Sequence, residues 1–233
     1  MSINLGEYAF GRFYRRRKYI FFNTGIFIKN SMESVMKSKS FFSAKNVTGL
    51  AVLTALVVVL QMFGGYFKIG TTSLSFVLVP IVLGGILYGV LAGAFLGFVF
   101  GLVVWLYGVT GADVFTSILF NDHPFITTLL CFGKGMLAGL CGGLAYSLLK
   151  GKNEYAGVLT AAVVTPIVNT GLFILGALLM SDSLRANFVA DGDTVIYFLV
   201  IGCAGVNFLV ELAINIVAAP ALYRVIGVVR KGR

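Results

Sequence analysis

Beyond residue 45 the chain is a succession of long uncharged apolar runs separated by short polar breaks. Asn46 to Phe67 carries no charge and is long enough for one membrane-spanning helix, which needs roughly 20 residues. Ile69 to Ala112 is a second uncharged run, too long for one span and right for two. Pro80 kinks or interrupts the first of that pair, and Tyr88-Gly89 is the expected tight turn between them. Further helices are expected at about 125–149, holding Lys134, at 155–181, holding Pro166, and at about 194–222, holding Glu211. The pattern predicts an all-α integral membrane protein, a six-transmembrane-helix bundle over residues 46–225.

The ends of the chain have a different character. Residues 1–45 are a polar, basic leader with one apolar patch, Tyr19 to Ile28, too short to span a bilayer. No small-residue cleavage site follows it at Lys29-Asn30-Ser31-Met32, which argues against a signal peptide. Met32 would serve as a start as well as Met1. Residues 226–233 form a basic tail.

Composition supports a membrane protein. The chain is 58% hydrophobic and only 12% charged, against about 25% charged for a soluble domain, so no room is left for a soluble catalytic domain. With the amino terminus inside, 15 of the 18 Lys+Arg fall on the cytoplasmic side. Lys68 and Arg185 are then outside and Lys134 lies within the membrane. That bias places both termini in the cytoplasm. The net charge of +9 is therefore a topology signal and a contact for anionic lipid, and no nucleic acid is needed to explain it. The outer loops are acidic, with Asp113, Asp122, Asp182, Asp191 and Asp193. Cys131, Cys141 and Cys203 lie in apolar stretches, with neither disulfide nor metal spacing.

Small residues recur at helical spacing. Gly85, Gly89, Gly93, Gly97 and Gly101 fall every fourth residue, as do Gly135, Gly139 and Gly143. Glycine on one face lets helix backbones approach closely, and packing within the bundle is the preferred reading. Ala51 and Ala55 repeat the spacing on the first helix.

Candidate chemistry points to binding without catalysis. There is no phosphate loop, since Gly133-Lys134 is followed by Gly135. No catalytic set or metal cluster can be assembled and no cofactor is called for, so the chain is not expected to be an enzyme. His123, before Pro124, is expected to be solvated. Lys134 stands about nine residues in from the outer end of its helix, roughly 13 Å deep, and a charge there is a functional-site hypothesis. Asn169 and Asn207 reach a similar depth. Two readings are open. Lys134, Asn169 and Asn207 could form a pocket for a small anion, or Lys134 could pair with Glu211 while the asparagines tie helices together. Glu211 is expected about one turn deeper than Asn207, which weakens that pair. Tyr66, Trp105 and Tyr107 could wall an outer pocket or belong to an interfacial belt. A buried lysine favours a carboxylate ligand, because an anion relieves an expensive unpaired charge.

Six helices with both ends inside, the Ala51-x-x-x-Ala55 motif and the short second-to-third turn resemble the substrate-binding S component of energy-coupling-factor (ECF) vitamin transporters. Leu53-Thr-Ala-Leu-Val-Val-Val-Leu-Gln61 and Thr165-Pro-Ile-Val-Asn-Thr-Gly171 are similar to the branch that includes pantothenate carriers. The likeness covers about 46–225. It implies a bacterial cell-membrane subunit that binds a micronutrient from outside. It also implies partners: a transmembrane coupling subunit, contacted through Ala51 and Ala55, and two cytoplasmic ATPases. Pantothenate leads as substrate, an anion with hydroxyl and amide groups to suit the asparagines. Biotin, lipoate, folate and riboflavin are the other vitamins considered, and a self-sufficient secondary transporter or channel for a small anion is the alternative of a different class.

Overall fold

A computed structural model of the chain describes residues 44–64, 68–69, 72–73 and 76–231. The basic leader up to residue 43 and Tyr66 lie outside the described residues. Among the described residues, five helices are long and apolar enough to cross a membrane. They are α1 (Ala44–Gly64), α3 (Val90–Thr110), α5 (Pro124–Leu149), α6 (Glu154–Leu178) and a last rod. That rod comprises α8 (Val195–Tyr197), the π-helical stretch Phe198–Gly205 and α9 (Val206–Lys231). The chain is therefore a multi-pass membrane protein. Its outward side chains agree, since Phe125, Leu129, Leu175, Leu209 and Val217 are all exposed, and apolar exposure on that scale suits lipid.

The second expected span departs from the pattern. Where one helix was expected from Ile69 to the Tyr88 turn, Lys68–Ile69 (β1) pairs antiparallel with Thr72–Ser73 (β2). Among the described residues of this stretch, only Leu78–Tyr88 (α2), 11 residues, is helical. At 1.5 Å per residue α2 is about 16 Å long, half a bilayer core. Thr72 and Ser73 are uncharged but poor helix formers, so freedom from charge overstated helicity there. Pro80 falls in the first turn of α2, where its missing N–H costs nothing. Gly89 has φ 100° and ψ 170°, a conformation open to glycine, and it breaks the backbone between α2 and α3 where the turn was expected.

Two short helices were not anticipated, α4 (Val114–Asp122) and α7 (Ser181–Asn187). Asp113 caps α4, its carboxylate accepting from Thr116 N at 3.1 Å and Thr116 Oγ1 at 2.6 Å. Asn153 caps α6 by accepting from Ala156 N at 3.1 Å. Both satisfy amides that a helix start leaves open.

The glycine ladders pack against each other. A Cβ added at Gly93 would come within 2.7 Å of the Gly139 carbonyl oxygen, and one at Gly97 or Gly101 would strike the carbonyl of Gly135 or Cys131. The register runs antiparallel, so α3 and α5 meet backbone to backbone. Gly85 belongs to α2, across the break at Gly89, and completes the seam against Gly143. The five-glycine run therefore serves two helices and a turn, with its packing role inside the bundle. Three apolar clusters fill the remaining space. One gathers around Tyr146, Val158 and Ile226, one around Leu53, Leu78 and Phe100, and one around Phe115, Met180 and Leu199.

Candidate functional site

A cavity opens between α3, α5, α6 and the last rod, with about 440 Å³ of empty space including its mouth. Helical periodicity builds its walls. Asn169, Thr170 and Phe173 stand on one face of α6, and Cys203, Asn207 and Glu211 follow at four-residue steps across the junction of the π-helix and α9. Lys134 comes from α5 and Phe100 from α3. Lys134, Asn169 and Asn207 are thus brought together around one space.

Charge and hydrogen bonding in the cavity are unevenly met. The Lys134 ammonium lies 5.7 Å from the Phe100 ring centroid and 5.2 Å from that of Phe173, so two ring faces give it partial electrostatic compensation. Glu211, the alternative partner for Lys134, lines the same cavity. Asn207 Nδ2 donates to Cys203 O at 3.2 Å, one turn back on its own rod. Asn169 is buried, and its Oδ1 accepts no hydrogen bond among the described residues. An acceptor in that state costs about 1–3 kcal/mol, which an incoming donor would relieve. Glu211 is buried as well, and it lines the cavity four residues on from Asn207.

Trp105 is placed elsewhere. Its Nε1 donates to Thr128 Oγ1 at 3.0 Å and its ring meets Phe120 and Phe132, in the seam of α3 with α4 and α5 and away from the cavity lining. Tyr66, the other aromatic expected at the site, is among the residues not described. Thr170, Phe173, Cys203 and Phe208 line the cavity without having been singled out. Their signal was available in the spacing from Asn169 and Asn207, one step or one turn away.

At the end of the bundle bearing α4 and α7, polar links join the two short helices. His123 Nε2 lies 3.0 Å and 3.1 Å from the two carboxylate oxygens of Asp182, so His123 is engaged instead of merely solvated. Ser183 Oγ donates to Asp122. The Ser183 backbone N–H, with lesser help from His123, holds the Asp182 carboxyl below its ordinary value. The Asp182 side chain is 73% exposed, so this pair fastens the surface weakly. Beneath it, Phe115, Leu119, Met180 and Leu184 form the cluster that also holds Cys203 of the cavity wall.

Ala51 and Ala55 are both exposed on α1, beside exposed Val52, Leu56 and Val59. No group of three or more metal-ligating side chains occurs among the described residues. The model of the family described as ECF transporter, substrate-specific component, matches residues 45–223. No curated protein and no solved structure matches the chain.

Proposed function

This chain belongs to the substrate-specific components of ECF transporters, and we propose that its cavity captures a water-soluble carboxylate vitamin, pantothenate first, from outside a bacterial cell. The observation that carries the reading is the convergence of one lysine and two asparagines on a single space inside the bundle. The lysine offers a charge-assisted contact to a carboxylate, and the amides suit hydroxyl and amide groups. Biotin, lipoate and folate would use the same cation, and riboflavin would not.

In this proposal the chain crosses the membrane six times, α2 and the segment leading into it making the second crossing, with both termini cytoplasmic by the distribution of Lys and Arg. Energy comes from elsewhere. A coupling subunit docks on the small-residue face of Ala51 and Ala55, where exposure on α1 and short side chains permit close helix approach, and two ATPases drive it. Reconstitution in liposomes tests this directly. The chain alone should move no vitamin, the chain with a coupling subunit and ATPases should import it, and Ala51→Leu with Ala55→Leu should abolish import while leaving binding intact. Transport by the chain alone down an ion gradient would establish a secondary transporter instead, and normal import by the double variant would remove the docking face.

A further inference from the structure

Helix α6 brings two adjacent side chains to the cavity with hydrogen-bonding capacity that the fold does not use. A threonine inside a helix ordinarily gives its hydroxyl back to the carbonyl one turn earlier. Thr160 and Thr165 of α6 do so, donating to Ala156 O at 2.8 Å and to Ala161 O at 2.9 Å. Thr170, the next threonine along the helix, lines the cavity instead, and its hydroxyl has no hydrogen-bond partner among the described residues. Beside it, Asn169 is 6% exposed and its Oδ1 accepts no hydrogen bond among the described residues. The last torsion of an asparagine is broad, so the amide can swing that oxygen towards the cavity it lines. An acceptor and a hydroxyl that both gives and takes a hydrogen bond therefore stand side by side on one helix.

Resting on the reading that this cavity is the substrate site, we infer that Asn169 and Thr170 together hold a hydroxyl group of the ligand. The substrate is then a small hydroxylated carboxylate, and Thr170 is a further specificity-determining residue. One hydroxyl satisfies both side chains: its hydrogen goes to Asn169 Oδ1, and its oxygen accepts from Thr170 Oγ1. An alkyl group in that place would bury two polar side chains unanswered, the situation in which a site built for hydrogen bonding rejects an analogue most strongly. An ether oxygen would take the Thr170 hydrogen and offer Asn169 nothing. The pair on α6 thus sorts acids by a group other than the carboxylate, a property that Lys134 on α5 does not confer.

The probes are butanoate, hexanoate and octanoate, each offered plain, with a terminal hydroxyl and with a terminal methoxy group, so that no spacing between the two anchor points is assumed. Each is titrated against the full chain in detergent by ligand-observed NMR. At one chain length or more, the wild type should bind the hydroxy acid at least about tenfold more tightly than the plain acid, as two hydrogen bonds imply. The methoxy acid should fall well below the hydroxy acid at that length. Asn169→Leu should lower the hydroxy-to-plain affinity ratio about tenfold, and Thr170→Val about threefold. A ratio unmoved in either variant would overturn the pair. The two variants report separately, so loss of folding in one leaves the other decisive. Equal binding of plain and hydroxy acids by the wild type at every length would overturn the inference, as would equal binding of hydroxy and methoxy acids, or binding of no probe at all. Loss of every probe in Lys134→Ala, with plain and hydroxy acids bound alike by the wild type, would sink this inference and leave the carboxylate site standing. Binding unaffected by Lys134→Ala would remove the carboxylate reading and this inference with it.

Discussion

Lys134 sits between two phenyl faces, where its positive charge is eased by the rings and still open to a stronger partner. A carboxylate supplies one. A charge-assisted hydrogen bond contributes about 1.5–3 kcal/mol, or roughly a tenfold to hundredfold change in affinity. Lys134→Ala should therefore weaken binding of a carboxylate vitamin by more than about tenfold in a direct titration, and unchanged affinity would return Lys134 to a packing role. The site at this scale was partly legible. Lys134, Asn169 and Asn207 are set by depth along their helices, which residue counting can reach. Glu211 was not singled out as lining because depth alone ignores rotation, and its four-residue step from Asn207 turns it onto the same face. Trp105 shows the limit of composition, since an aromatic near a helix end serves a seam as readily as a pocket. Only the fold places its ring against Phe120 and Phe132.

At the scale of elements, the antiparallel glycine seam of α3 and α5 holds the cavity's walls in register. Without a hydrophobic drive in lipid, such helices are held by close backbone packing. An added methyl at Gly97 would collide with the Gly135 backbone, whereas one at Gly133 has nothing within 4 Å. Gly97→Ala should therefore destabilise the bundle by about 1–3 kcal/mol, as overpacking does. Gly133→Ala should be neutral or slightly stabilising, as Ala for Gly in a helix is. Thermal unfolding of the two variants in detergent checks this pair, and equal melting would contradict the seam. The ladders were readable as four-residue repeats, and so was the turn at Gly89. The β1–β2 pairing and the short α2 were not, because absence of charge marks membrane depth but does not distinguish a helix from extended chain. The π-helix Phe198–Gly205 left no sign in the apolar pattern. It nonetheless supplies Cys203 and Ala204 to the cavity.

For the whole molecule, apolar runs and charge placement carried the most information. Five long helices, exposed apolar side chains and the family match all describe one membrane subunit devoted to a substrate. The short helices α4 and α7 escaped the pattern, being too brief for any periodicity, and their link through His123 and Asp182 brings together residues far apart in the chain. The proposed division of labour follows from this layout, with capture in the cavity and docking on the exposed face of α1. Capture is the claim on which the rest depends. Native mass spectrometry of the detergent-purified chain, titrated with a panel of vitamins, measures it most directly. One small carboxylate vitamin bound one-to-one is the result predicted here. No bound ligand and no response to any vitamin in the panel would contradict it.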